Sequence, residues 1–214
     1  MLCLDFGLGC RAAVFAPLLG NGILTQEDVA WRRSRRLIHR QFNRIKARNL
    51  ACFDEHVSNL VSRLAPGVTI DLQPLFFNLT LDITTALVFG RSVYSLRADI
   101  DVDQAEKNER FAEDFTVAQE GLSKRFRLAP LHFLYNPKSF RRACRSVHEF
   151  VERLIPAELV DGGKENDDKK DDDASWFIRE VARQSASVAE IRDQLLHILL
   201  AGRDTTACCL LWTL

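Results

Sequence analysis

The chain has 214 residues, is 47% hydrophobic, and carries 29 Lys or Arg against 29 Asp or Glu, for a formal net charge of zero. That apolar share supports a packed core and excludes disorder over most of the length. A neutral total gives no whole-chain electrostatic case for a nucleic-acid partner.

The charge is nevertheless unevenly spread. Eight Arg or Lys and no acid lie between Trp31 and Arg48, and seven acids with three lysines lie between Asp161 and Asp173. The six cysteines (Cys3, Cys10, Cys52, Cys144, Cys208 and Cys209) form no CxxC pair and no zinc spacing, which predicts free thiols. The first twenty residues are moderately apolar but carry Asp5, have no basic start and are interrupted by glycines, so they do not read as a signal peptide. No apolar run approaches the roughly 18 residues of a membrane span. The expectation is a chain with no transmembrane segment and no anchor of its own.

In chain order, Thr25-Gln-Glu-Asp28 predicts a capping box, with Asp in the Glu position. The helix behind it places Ile38, Phe42 and Ile45 on one face. Leu50, Phe53, Val57, Leu60 and Leu64 mark the next helix, closed by Pro66-Gly67. Asp71 is placed to cap a helix carrying Leu72, Leu75, Phe76, Leu79, Ile83 and Leu87, and Gly90 to stop it. Residues 99–108 read as a polar loop inside which the following helix can begin. That helix carries Phe111, Phe115, Ala118 and Leu122.

From Pro137 another helix runs through Phe140, Cys144, Val147, Val151 and Leu154, with Pro156 kinking or ending it. Residues 161–174 are an acidic, flexible linker by composition. A short helix is expected over Trp176 to Val181. Ser187-Val-Ala-Glu190 is a second capping box, opening an apolar-periodic run through Ile191, Leu195, Ile198 and Leu199 to Leu214. The fold class is therefore mainly α, with about seven helices.

Two stretches carry chemistry. Ala201-Gly202-Arg203-Asp204-Thr205-Thr206 is locally unfavourable inside a helix, since Gly costs about 1 kcal/mol relative to Ala and Thr competes for backbone partners. Gly202 opens a groove for close approach to the backbone, the Thr205 hydroxyl can bond back to the Ala201 carbonyl, and Asp204 offers a carboxylate for proton relay. The alternative is a helix-packing notch with a solvated Arg-Asp pair. In the basic helix, Trp31 and Arg35 are four residues apart and so form an indole and guanidinium donor pair suited to a carboxylate. The other basic residues can form a docking face for an acidic protein, or touch phosphates of lipid or nucleic acid.

Together these stretches resemble the cytochromes P450. Trp31-Arg-Arg-Ser-Arg35 is similar to their WxxxR motif, and Ala201 to Thr206 to their oxygen-groove motif, [AG]GxDT. Leu18-Leu-Gly-Asn-Gly-Ile-Leu-Thr-Gln26, Phe111 to Phe115 with Ala118-Gln119, and Phe140 to Phe150 resemble fungal members that hydroxylate alkanes and fatty acids. The resemblance covers the chain from about Phe6 onward and implies a heme monooxygenase.

On that resemblance Trp31 and Arg35 contact a heme propionate, Ala201 and Gly202 lie over the face of the heme, and Thr205 and Asp204 serve oxygen binding and proton delivery. It further implies an electron-donating reductase meeting the basic face near Arg36 and Arg40, an apolar small-molecule substrate whose channel Phe76, Phe77 and Phe111 to Phe115 would border unless they are ordinary core, no nucleic acid, and a place on the cytosolic face of the endoplasmic reticulum membrane.

The family's ExxR pair, its Pro-Arg-rich meander and its FxxGxRxC loop should follow the last helix, and none of them follows it within the 214 residues. Cys208 and Cys209 lie within one helical turn of Thr205 and cannot stand in for the axial thiolate, so no metal ligand is assigned. The expectation is a single partial domain over residues 1–214, the helical portion of the fold without most of its β-rich part, and not competent in catalysis by itself. The alternatives are a helical module binding nucleic acid or acidic membranes through Trp31 to Arg48, and an inactive truncated product.

Overall fold

A computed structural model describes residues 7–48, 51–97, 102–155, 176–184 and 187–214. Among them the regular structure is helical, with no strand. The helices are α1 (Arg11–Leu19), α2 (Asp28–Arg48), α3 (Ala51–Ser62), α4 (Leu72–Phe89), α5 (Val102–Leu128), α6 (Lys138–Leu154), α7 (Trp176–Gln184) and α8 (Val188–Thr213), and a 3-10 segment, Ala129–Leu134, joins α5 to α6. The acidic stretch 161–174 lies outside the described residues.

Several ends follow directly from local chemistry. The Asp71 carboxylate accepts the Gln73 N–H at 2.9 Å, and Gly90, at φ 72°, closes α4 in the left-handed region. Ser187 accepts the Glu190 N–H at 3.2 Å at the start of α8. The polar stretch after residue 101 is the first part of α5, its charged side chains largely turned outward until Asn108 is reached.

The expected box at Thr25 is not formed. Trp31 N–H bonds to the Glu27 carbonyl, so α2 starts after that residue. The Thr25 hydroxyl instead closes the preceding turn, donating to the Gly20 and Gly22 carbonyls and accepting the Gly22 N–H. The expected α2 face is also corrected. Leu37 and Ile38 are buried while Phe42 is exposed, and the Ile45 side chain lies outside the described residues.

α1 has no counterpart in the expected series, because Pro17 and the surrounding glycines obscured it. Pro17 has no N–H, so the Ala13 carbonyl four residues earlier loses its helical partner. Arg125 of α5 supplies the replacement, donating to Ala13 O at 3.3 Å and Val14 O at 3.1 Å. The end of α1 leaves further carbonyls open. His148 of α6 takes Leu18 O at 2.7 Å and His197 of α8 takes Leu19 O at 3.1 Å. Three side chains from three helices therefore hold α1 by its backbone.

The principal core joins α1, α2 and α4 through α8, with Phe115, Phe140, Phe177, Leu195 and Leu199 fully enclosed. Phe111 stacks on Phe150 with centroids 4.0 Å apart, so these phenylalanines are ordinary core. α4 and α8 form the most extensive helix pair among the described residues. By length and composition both are apolar enough to cross a membrane, contrary to the sequence expectation. Half of the α4 window and 39% of the α8 window are buried inside the protein.

Gly121 shows what α5 and α6 require of each other. A Cβ there would lie 2.1 Å from Cδ2 of Phe140, a ring that is 1% exposed. Gly121→Ala is expected to lower stability by about 1–3 kcal/mol through overpacking, read as a lower denaturant midpoint. A midpoint unchanged or raised would contradict this packing.

Candidate functional site

The loop of residues 20–26 and the start of α2 rest on the first half of α8. Gly20 and Gly22 permit this approach. A Cβ at Gly20, whose φ is 62°, would lie 2.0 Å from Asp193 Oδ2, and one at Gly22 would lie 2.6 Å from the His197 ring. Asn21 N–H donates to Asp193 Oδ2 at 2.8 Å, and Leu24 N–H donates to His197 Nδ1 at 3.0 Å. Ser34 donates to Gln26 Oε1 at 2.6 Å and accepts from Gln194 Nε2 at 2.7 Å, fixing α2 beside α8.

That contact orients the candidate residues. At 100° per residue, Gln194, Ile198, Ala201, Thr205 and Trp212 fall along one side of α8. Gln194 is covered by Ser34 and Ile198 is buried, whereas Ala201 and Thr205 are exposed and Trp212 is 90% exposed. The same stripe is thus tied to α2 through Ser34 at one end and exposed at the other. On α2, Trp31 lies one turn before Ser34 and is half-buried, and Arg35 is exposed. The Arg35 guanidinium lies over the Trp31 ring at 5.3 Å. The pair is a cation–π stack, and neither side chain makes a hydrogen bond or ion pair to another described residue.

The second motif distributes its residues over three sides of α8. The Thr205 hydroxyl donates to the Ala201 carbonyl at 2.6 Å, the back-bond expected from sequence. A Cβ at Gly202 would lie 2.8 Å from Thr84 Oγ1 of α4, so the notch there is filled by the neighbouring helix. The Arg203-Asp204 pair, expected to be solvated if the motif were a packing notch, is largely enclosed. Arg203 is 5% exposed and bonds Asp204 Oδ1 at 3.1 Å, while Gln119 of α5 donates to Asp204 Oδ2. Burial raises the proton affinity of Asp204, partly offset by the Arg203 charge, and burial lowers that of Arg203.

Trp31 and Arg35 lie on α2 and Ala201 and Thr205 on α8, two helices joined at Ser34, while Gly202 turns to α4 and Asp204 to α5. Arg32, Arg33, Arg36 and Arg40 are exposed on α2, and the side chains of Arg44, Lys46 and Arg48 lie outside the described residues. Cys10, Cys144, Cys208 and Cys209 are free thiols.

Sequence reasoning gave no part to Thr84, Asp193 or His197. The Gly20-Asn21-Gly22 spacing was the available signal for the last two, because paired glycines in a loop mark close approach by something bulky.

A family model described as cytochrome P450 matches residues 11–214. The chain is similar to cytochrome P450 52A13 of Debaryomyces hansenii, at 39% identity over 98% of this chain and 41% of that protein. It is 36% identical to a cytochrome P450 of Arthroderma benhamiae, over 95% of this chain and 40% of that one. Cytochrome P450 52A3-B of Candida maltosa gives 36% over the same shares. The chain spans about 40% of the length of these curated relatives.

The contact at Gly202 is testable as a pair. Alanine gains about 1 kcal/mol in helix propensity, yet Gly202→Ala is expected to lower the unfolding midpoint because Thr84 must move. Thr84→Ala in the same chain should recover the loss, leaving the double variant above the single. Strictly additive effects would contradict the contact.

Proposed function

The chain belongs to the cytochrome P450 family, and from that premise we propose that it forms the helical portion of a heme monooxygenase acting on an apolar substrate such as a fatty acid or alkane. The observation that carries this reading is the stacked Trp31-Arg35 pair on the helix that Ser34 ties to Gln194, with Ala201 and Thr205 exposed further along α8.

The donor set suits heme. Indole and guanidinium donors not engaged by any described residue match a propionate carboxylate, and the exposed Ala201 and Thr205 surface leaves room for a flat apolar group. Heme, when bound, supplies the iron that activates dioxygen for insertion of one oxygen atom into a C–H bond, using two electrons from a reductase. The axial ligand is assigned to no residue of this chain.

The protein's own residues then have separable tasks. Trp31 and Arg35 bind and orient through a propionate. Ala201 bounds the cofactor face with a side chain too small to obstruct it. Gly202 acts indirectly, by letting α4 close on α8 at Thr84. The Thr205 hydroxyl spends its proton on the Ala201 carbonyl, so its oxygen accepts a hydrogen bond as it stands and donates one only by releasing that carbonyl. Asp204, with its proton affinity raised by burial, is the group suited to hold and pass a proton.

The exposed Arg32, Arg33, Arg36 and Arg40 suit an acidic reductase surface. The place in the cell proposed on family grounds is the cytosolic face of the endoplasmic reticulum membrane.

Hemin titrated into the purified chain is expected to give a saturable shift in visible absorption. Arg35→Ala should weaken binding about tenfold, the worth of one charge-assisted hydrogen bond. Equal affinity in wild type, Arg35→Ala and Trp31→Ala would contradict the assignment. Steeply salt-dependent binding of DNA or anionic lipid in place of hemin would favour a basic binding module instead.

A further inference from the structure

Arg203, Asp204 and Gln119 form a closed ring of side chains that the back-bond and the donor pair leave unexplained. Arg203 Nη1 donates to Gln119 Oε1 at 3.0 Å and to Asp204 Oδ1 at 3.1 Å, and Gln119 Nε2 completes the ring at Asp204 Oδ2. The amide orientation is fixed by its partners. Its oxygen faces a guanidinium and its nitrogen a carboxylate, and a flipped amide would set donor against donor and acceptor against acceptor.

The guanidinium is held between two aromatic faces. Its central carbon lies 4.8 Å from the Phe77 centroid on α4 and 5.2 Å from the Phe115 centroid on α5. Its Nε is buried with no hydrogen-bond partner. The guanidinium edge thereby meets both the carboxylate and the amide.

We propose that Gln119 and Arg203 are positioning residues for Asp204, holding its carboxylate on the α5 side of α8 and setting how firmly it keeps a proton. The part that Asp204 plays in proton delivery rests on the function proposed above; the clamp itself rests on these contacts. Arg203 supplies the positive charge bonded to Asp204, while the other groups meeting the ring, Gln119 and Phe115 from α5 and Phe77 from α4, are neutral. Gln119 thereby becomes the residue through which a neighbouring helix acts on the acid, without contact with cofactor or substrate. A hydrogen bond donated to the ionised carboxylate favours that form, so loss of the Gln119 amide should make Asp204 hold its proton to higher pH. A carboxylate at position 119 should do so more strongly, because two acids would then share one guanidinium.

The test is a carboxyl carbon NMR titration of the purified chain with labelled aspartate, Asp204 being assigned by loss of its signal in Asp204→Asn. Gln119→Leu is expected to move the Asp204 midpoint upward, and Gln119→Glu to move it further. A staple that only joins α5 to α8 would lower the unfolding midpoint in Gln119→Leu and leave the Asp204 titration in place. An unmoved titration in either folded variant overturns the proposal.

The unmutated chain gives a second measurement that survives misfolding of both variants. The Gln119 side-chain amide hydrogens should exchange with solvent at least about tenfold more slowly than those of an exposed glutamine. Exchange at the exposed rate overturns the clamp. Because both readouts are made without heme, absence of hemin binding together with a responsive Asp204 would remove the proton-delivery role and leave the clamp standing.

Discussion

His197 holds together the end of α1, the 20–26 loop and α8. Its Nδ1 accepts the Leu24 N–H and its Nε2 meets the Leu19 carbonyl, a pair of partners that only the neutral Nε2–H tautomer satisfies. Around it, Asp193 takes the Asn21 N–H, and Gly20 and Gly22 are small enough for both side chains to reach the backbone. With the loop fixed, α2 enters at a set angle and Ser34 reaches Gln194. Beyond that bond along α8, Ala201 and Thr205 are exposed. The orientation of the donor pair relative to that face therefore descends from one imidazole.

The same dependence explains how α8 carries a sequence that no isolated helix would favour. Gly202, Thr205 and Thr206 each weaken it, and packing of an amphipathic helix supplies what propensity does not. α4 closes on Gly202, α5 holds Arg203 and Asp204, and Ala207 is buried beyond them. The side that remains receives the Thr205 back-bond and no covering helix among the described residues. A local weakness in the sequence thus marks the place where tertiary contacts converge on three sides and leave the fourth open.

Much of this was legible in the sequence because its signals are short-range. Asp71 and Gly90 bound α4, Ser187 opens α8, and the period of Phe111, Phe115, Ala118 and Leu122 identifies a core face; all depend on residues within a turn or two of one another. The Thr205 back-bond was legible for the same reason. What the sequence concealed depends on partners far along the chain. α1 contains Pro17, and only Arg125, more than a hundred residues away, compensates for the carbonyl it frees. The Thr25 box fails because its hydroxyl is claimed by a turn shaped around Asp193 and His197. The alternative reading of Arg203 and Asp204 as a solvated pair arose because nothing nearby in sequence announces Gln119, Phe77 and Phe115 as their walls.

The most direct check on this account is the ionisation of His197. Burial lowers its pKa from 6.5 to about 4, against a smaller opposing contribution from its bond to Leu19. Burial also lowers that of His148, the other imidazole holding α1. The unfolded chain binds the proton first as pH falls. Stability from neutral His197 is accordingly full above about pH 6.5 and is lost toward pH 4, by on the order of 3 kcal/mol in total. A nitrogen NMR titration of the imidazole in the purified chain should show an Nε2–H tautomer that stays neutral to about pH 4. An Nδ1–H tautomer, or a midpoint at the ordinary histidine value, would mean that the loop does not dock on α8 and that the alignment of Trp31 and Arg35 with Thr205 is lost.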